Sequence, residues 1–288
     1  MEGQQKGKKQ INNPNRLTMI TKEQQAQIEW RDKRIAENIE KIKHRILVFS
    51  GKGGVGKTTV SVNLAHGLHS CGYKTGILDA DITGPNVPKM TGITGNVHSD
   101  EGKAITQISN GVKVISMANL LPPDEAVIWR GPMRSKMLYE FLGSVEWGNM
   151  DYLIADLPPG TGDEVLTIVQ SMKPDMAIIV TTPQEVSLID SARAVNMAKK
   201  MNIPQIALIE NMSGLICPEC GHRIELFGSG GGLKQAKEMN IDFLGTIPIN
   251  LEARELADKG KPVVIENKKA DISIEICRIV TKIETKFK

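Results

Sequence analysis

The run Gly51-Lys52-Gly53-Gly54-Val55-Gly56-Lys57-Thr58 has the spacing G-x-x-x-x-G-K-[ST]. It directly follows an apolar stretch, Ile46 to Ser50, and precedes the helical spacing Val60, Leu64, Leu68. A phosphate-binding loop needs this strand, loop, helix setting. Glycines let the backbone fold tightly around phosphate oxygens, while its N–H groups and the helix N-terminus supply positive potential. On this reading Gly51, Gly53, Gly54, Val55, Gly56, Lys57, Thr58 and Thr59 form the nucleotide cradle for ATP. Lys57 reaches the β- and γ-phosphates, and the Thr58 hydroxyl ligates Mg²⁺.

Three further groups have types that suit such a site. Tyr152 to Ala155 is an apolar strand ending in Asp156, the Walker B pattern for holding Mg²⁺; an ordinary turn aspartate is the alternative. Asp79 and Asp81 end the apolar stretch that begins at Gly76, where doubly wound sheets bind ligands. Pro158-Pro159-Gly160-Thr161-Gly162-Asp163 joins stiff residues to flexible ones, a segment that can register a γ-phosphate and change shape when it leaves. Apart from these, Cys217-Pro218-Glu219-Cys220-Gly221-His222 places two thiols two residues apart in a glycine-flanked loop. One such pair is half of a tetrathiolate site, and a second copy of the chain supplies the other half.

The elements that must position these groups emerge from the apolar pattern. Short runs, Ile46 to Ser50, Gly76 to Asp79, Val112 to Met117, Tyr152 to Asp156, Met176 to Thr181, Gln205 to Glu210 and Phe243 to Ile247, alternate with helix-length segments. One of these segments carries Met133, Met137, Leu138 and Phe141 at helical spacing. The expected fold is α/β: a doubly wound, mostly parallel sheet with helices on both faces. Residues 1–42 read as a tail and a charged helix, from about Thr21 to His44, outside the main core. Residues 43–288 read as one ATPase domain with the Cys-x-x-Cys loop at 217–220.

Composition narrows the function. A net charge of +3 gives little attraction for nucleic acid, and 4% aromatics supply few stacking platforms, so no nucleic acid partner is expected. No apolar run approaches the ~20 residues of a membrane span, and the basic N-terminus lacks a signal-like apolar stretch. The expectation is a cytoplasmic protein. Cys71 and Cys277 read as packed thiols without a partner.

Lys52 is the unusual residue of the phosphate loop, and here the sequence resembles the deviant Walker A group of dimeric ATPases. That group includes nitrogenase iron protein, the arsenite pump ATPase, MinD and ParA. The resemblance implies that Lys52 acts across a homodimer on the partner's phosphates, a cation delivered in trans. It further implies that Asp81 positions the attacking water, against plain turn capping. Asn211, in Glu210-Asn211-Met212, then reads the adenine edge, against strand or helix capping, with Pro248-Ile249-Asn250 as the other wall of the base pocket. With Thr83-Gly84-Pro85, Trp129-Arg130-Gly131-Pro132-Met133, Thr182-Pro183-Gln184-Glu185-Val186 and the cysteine pair, the pattern from Ile46 to about Gly260 resembles the Mrp/ApbC family of iron-sulfur cluster carrier ATPases.

That family resemblance implies slow ATP hydrolysis by a homodimer, a [4Fe-4S] cluster shared between Cys217 and Cys220 of two copies, and apo iron-sulfur proteins as recipients. Zinc on the same four thiolates is an alternative, because Cys217 to His222 looks like half a zinc ribbon. A redox dithiol is a weaker one. The competing function is a spatial-positioning ATPase of the MinD or ParA type, acting on a membrane or DNA. It draws on Ile272, Ile276, Ile279, Ile283 and Phe287, which share one face of a C-terminal helix. Packing of that face against the domain is the simpler account, so membrane binding is not expected. A nucleotide kinase lacks any supporting motif.

Overall fold

Strands that are apolar on both faces must sit inside a sheet covered twice, and the computed structural model has that form. It describes residues 21–82, 84–97, 99–100, 103–119, 131–160 and 162–288. In chain order these form α1 (Lys22–Ile39), β1 (Ile42–Phe49), α2 (Lys57–Ser70), β2 (Thr75–Asp79), α3 (Val87–Thr91), β3 (Ser99–Asp100), β4 (Lys103–Ala104), β5 (Gln107–Ser109) and β6 (Val112–Ser116). Next come a short 3-10 turn (Met117–Asn119), α4 (Gly131–Gly143), β7 (Met150–Asp156), α5 (Asp163–Met172), β8 (Met176–Thr181), α6 (Glu185–Lys200) and β9 (Gln205–Ile216). The chain ends with β10 (Arg223–Ile224), α7 (Gly231–Glu238), β11 (Asp242–Ile249), α8 (Leu251–Asp258), α9 (Val263–Glu266) and α10 (Asp271–Phe287).

Among the described residues the main sheet runs β10-β9-β8-β1-β7-β2-β6-β5, with β11 also on β9, and β3 pairs only with β4. All of its pairings are parallel except those of β5 and β10. Consecutive residues of a strand point to opposite faces. Accordingly Ile46, Val48, Ile154 and Ile178 belong to one core layer, and Leu47, Phe49, Leu153 and Ile179 to the other. β1 lies between β7 and β8, whereas the chain leaves it for β2 beyond β7. The reversal of strand order therefore falls at the C-terminal end of β1, where such sheets hold their ligands.

At the ends of the chain one reading changes and one holds. The first helix stops at Ile39 rather than near His44, because β1 begins at Ile42. Nor does it lie outside the core: Ile35 and Ile39 are buried with Phe141 and Leu142 of α4. Two isoleucines one turn apart suffice to seat a helix whose other residues are almost all polar. At the far end, Ile272, Ile276, Ile279 and Ile283 are buried and Phe287 packs beside them, so the apolar face of α10 belongs to the core. Among the described residues no helix is long and apolar enough to cross a membrane. In α4, Leu138 and Phe141 are buried but Met133 is exposed. The tail before residue 21, Thr83, Trp129, Arg130 and Thr161 lie outside the described residues.

Candidate functional site

The phosphate loop turns into α2 through Gly56, whose φ of 80° is left-handed. A side chain there would also meet the amide of Asn211. Glycine satisfies both conditions at once. α2 begins at Lys57, so the free N–H groups of its first turn face the loop.

Asp156 is the hub beneath that turn. It is fully buried and forms an ion pair with Lys57 Nζ at 2.9 Å. Thr58 Oγ1 donates to its Oδ2 and Ser61 Oγ to its Oδ1, each at 2.7 Å. A buried carboxylate is tolerated only when compensated in this way. The oxygen set of Thr58 and Asp156 fits Mg²⁺, a hard cation held by few protein ligands.

Parallel pairing of β2 with β7 sets Asp79 beside Asp156. Asp79 accepts hydrogen bonds from Ser116 Oγ (2.9 Å), Asp81 N (3.2 Å) and Val87 N (3.3 Å). Burial, and then the charge of Asp156, push its pKa up to about 8 against the opposing hydrogen bond from Ser116. Asp81 is half-buried and its Oδ1 accepts from Gly84 N at 3.2 Å, so its carboxyl closes a turn.

A cleft of about 740 Å³ brings most of the predicted residues together, a volume suited to a bound small molecule. Gly53, Gly54, Val55, Gly56, Lys57, Thr58, Thr59, Asp81, Asn211 and Pro248 line it. So do Leu226 and Phe227, which come from the segment that carries the cysteines. Gly51 and Lys52 are not in its wall. Gly51 packs on the Asp190 backbone, and the Lys52 carbonyl accepts from Ser50 Oγ at 2.7 Å. Lys52 has no salt bridge among the described residues. Asn211 lies within β9 rather than at its end, because the strand continues to Ile216. Its Nδ2 donates to Val55 O at 2.8 Å.

The cysteine pair sits at the tip of the β9–β10 hairpin. Cys217 N donates to His222 O and Gly221 N to Cys217 O, both at 2.9 Å. Cys220 is exposed and Cys217 half-buried. The backbone N–H of Cys220 and then that of Glu219 donate to the Cys217 sulfur, and with the Cys220 thiol they pull its pKa below the usual thiol value. Such a turn favours thiolate, the form that ligates metal. Among the described residues no group of three metal-binding side chains occurs, so one chain offers two thiols and no complete site.

Cys71 and Cys277 are exposed rather than packed. Cys71 follows the last residue of α2 as its C-cap, and Cys277 lies in α10 between the buried Ile276 and Ile279. Burial, together with nearby Glu284, raises the Cys71 pKa.

Sequence reasoning passed over Ser61 and Glu210. Ser61 falls four residues after Lys57, and hence on the same face of α2, which was a usable signal. Glu210 is fully buried and accepts from Ser213 Oγ (2.7 Å), Gly230 N (3.1 Å) and Gly232 N (2.6 Å). Only the run Gly230-Gly231-Gly232 hinted at a backbone nest needing an anion.

The sequence profile of the ParA family described as NUBPL iron-transfer P-loop NTPase matches residues 41–284. An iron-sulfur cluster carrier protein of Pyrococcus horikoshii is 52% identical over 246 residues, covering 81% of this chain and 83% of that protein. One from Methanocaldococcus jannaschii is 52% identical over 262 residues, covering 88% and 90%. Among solved structures, a nucleotide-binding protein of Archaeoglobus fulgidus in complex with ADP superposes with a TM-score of 0.74 at 39% identity, over 84% of this chain and 95% of that one. MinD of Aquifex aeolicus, at 23% identity and a TM-score of 0.62 over 84% and 97%, shares the fold.

Proposed function

The chain belongs to the NUBPL-type iron-transfer family of P-loop NTPases, and from that premise we propose that it is an ATP-hydrolysing carrier of iron-sulfur clusters. In this reading it works as a homodimer. Cys217 and Cys220 of two copies hold a [4Fe-4S] cluster as cargo, and apo iron-sulfur proteins receive it. The observation that carries the reading is the Cys217 turn, whose N–H donors favour thiolate at an exposed tip.

The nucleotide end supports the same dimer. Lys52 lacks an ion-pair partner among the described residues and is available to phosphates on a second copy. Val186, Ile189 and Leu226 are 65%, 58% and 58% exposed. The first turns of α6 abut both Gly51 and Gly231, which puts this apolar surface between phosphate loop and cysteine hairpin. Exposed apolar area of this kind marks an interface.

Within the cleft Lys57 and Thr58 bind the phosphates and Mg²⁺, Asp156 orients the ion's shell, and Asp81 holds the attacking water. Asn211 and Pro248 frame the base. Mg²⁺, when bound, neutralises charge that develops on the transferring phosphoryl group. Hydrolysis is slow and tied to loading or release of the cluster. Gly160 N donates to Ser50 O at 2.9 Å, so the segment after Asp156 is in register with the phosphate loop and can report nucleotide state.

The test is anaerobic reconstitution with iron and sulfide, read by visible and Mössbauer spectra and by light scattering. A dimer carrying four irons is expected. Retention of an intact cluster by Cys217→Ala, or a monomer under every nucleotide condition, would overturn the proposal. Zinc analysis of the same sample separates the alternative occupant.

A further inference from the structure

Glu210 joins the two ends of the segment that carries the thiols. Ser213, inside β9 and just past the bend at Met212, donates its hydroxyl to Oε1 at 2.7 Å. Gly230, where the segment returns, donates its N–H to the same oxygen at 3.1 Å, and Gly232 N donates to Oε2 at 2.6 Å. Gly230 is left-handed (φ 75°) and caps α7. The carboxylate therefore fills a backbone nest at a helix N-terminus, which is a strong anion site. It is fully buried, so the three bonds and the helix dipole are its compensation.

The next residue faces the other way along the pleat. Asn211 donates to the phosphate-loop carbonyl of Val55 at 2.8 Å. Beyond it, Met212 has φ 57°, a left-handed conformation that is costly for a residue with a long side chain. The pairing with β11 slips at this point: Asn211 opposes Ile247, but Leu215 opposes Ile249. Extra residues on one strand bend it and re-aim the side chains beyond the bend. Finally, Leu226 and Phe227 on the returning half of the segment wall the nucleotide cleft.

We propose that Glu210 is a positioning residue that transmits nucleotide state from the phosphate loop to Cys217 and Cys220. One strand carries, on adjacent residues, a contact to the phosphate loop and a contact to the base of the cysteine-bearing segment, with a strained bend immediately after them. A ligand that presses on Leu226 and Phe227 or shifts Val55 moves the hairpin about an anchored base. Without the anchor, the hairpin moves independently of the cleft. This proposal deepens the carrier reading and rests on it for its purpose, but its test needs no cluster.

The experiment is residue-resolved alkylation of the cluster-free protein by iodoacetamide, read by mass spectrometry. It is run without nucleotide, with MgADP, and with Mg²⁺ and a non-hydrolysable ATP analogue. Cys71 and Cys277 are exposed in the same molecule and serve as internal references. In the wild type, nucleotide changes the Cys217 and Cys220 rates relative to the references by about fivefold or more, the low end of coupling between two sites. Glu210→Gln abolishes that ratio while nucleotide affinity and cooperative melting persist. A merely structural role would instead speed alkylation equally with and without nucleotide, preserving the ratio, and that result overturns the proposal.

Should Glu210→Gln fail to fold, Ser213→Ala removes one of the three bonds and reduces the ratio part of the way. An unchanged ratio in folded Ser213→Ala also overturns it, as does a wild-type ratio of one. Reconstitution of wild type run in parallel is independent: failure to load iron sinks the carrier reading, and the alkylation ratios still decide the role of Glu210.

Discussion

The two chemical ends of this molecule are built in opposite ways. At the phosphate loop, Lys57, Asp79 and Asp156 are buried, and their partners come from α2, β2, β6 and β7. At the hairpin tip, Cys217 and Cys220 lie at the surface, and the donors that tune Cys217 are backbone groups two and three residues away. Charge in the interior needs compensation from distant parts of the chain, so the first site is inseparable from the fold. The second needs one turn of chain and is left open to whatever it must hold or release.

The contrast is put at greatest risk by Lys57→Ala. Removing one member of a buried pair leaves Asp156 without its counter-charge, so the variant should lose about 3 kcal/mol of stability in urea denaturation. Titration with a fluorescent ATP analogue should show affinity weakened by roughly 100-fold or more. A variant as stable as wild type would erase the distinction between the two sites. Cys217→Ala or Cys220→Ala should be the mirror case: cluster loading disappears on reconstitution, while stability stays within about 0.5 kcal/mol because the site is at the surface.

A subtler difference lies in pH dependence. The folded pKa of Asp79 is raised, so between the unfolded value and about 8 the folded state binds more protons than the unfolded chain. This group's contribution to stability is therefore greatest at low pH and declines as pH rises through that window. Asp79→Asn should flatten the decline when urea midpoints at pH 5 and pH 8 are compared in EDTA; an unaltered slope would show that Asp79 ionises normally. The smallest effect concerns two thiols of one molecule. Alkylation tracks the thiolate, so Cys217, lowered, should reach its maximal rate at lower pH than Cys71, raised. A reversed order would mean that the turn does not favour charge on Cys217.

The phosphate loop and its strand were legible because eight adjacent residues carry both the motif and its setting, and strands buried on both faces read as plain apolar runs. The Cys-x-x-Cys pair was legible for the same reason of locality. What escaped depends on contacts between residues far apart. Glu210 was passed over because the glycines it binds come some twenty residues later. Asn211 read as terminal because β9 passes through a left-handed Met212, which no local pattern announces. The first helix was set apart from the core because Ile35 and Ile39 are thin signals among charged residues, and only α4 gives them something to pack against. Cys71 and Cys277 were assigned to the interior from residue type alone, and type does not say which side of a helix faces out.

Ser213 and Gly230, which bracket the thiol-bearing excursion, meet at one carboxylate, so the chain comes back to nearly the place from which it set out. The entropy of closing such a detour grows only slowly with its length. The base of the hairpin thus works as a socket. A longer finger, or one bearing a different pair of ligating side chains, can be spliced in at the tip between Ile216 and Arg223 with the strands beneath left as they are, which makes this the natural point at which to give the same engine another cargo.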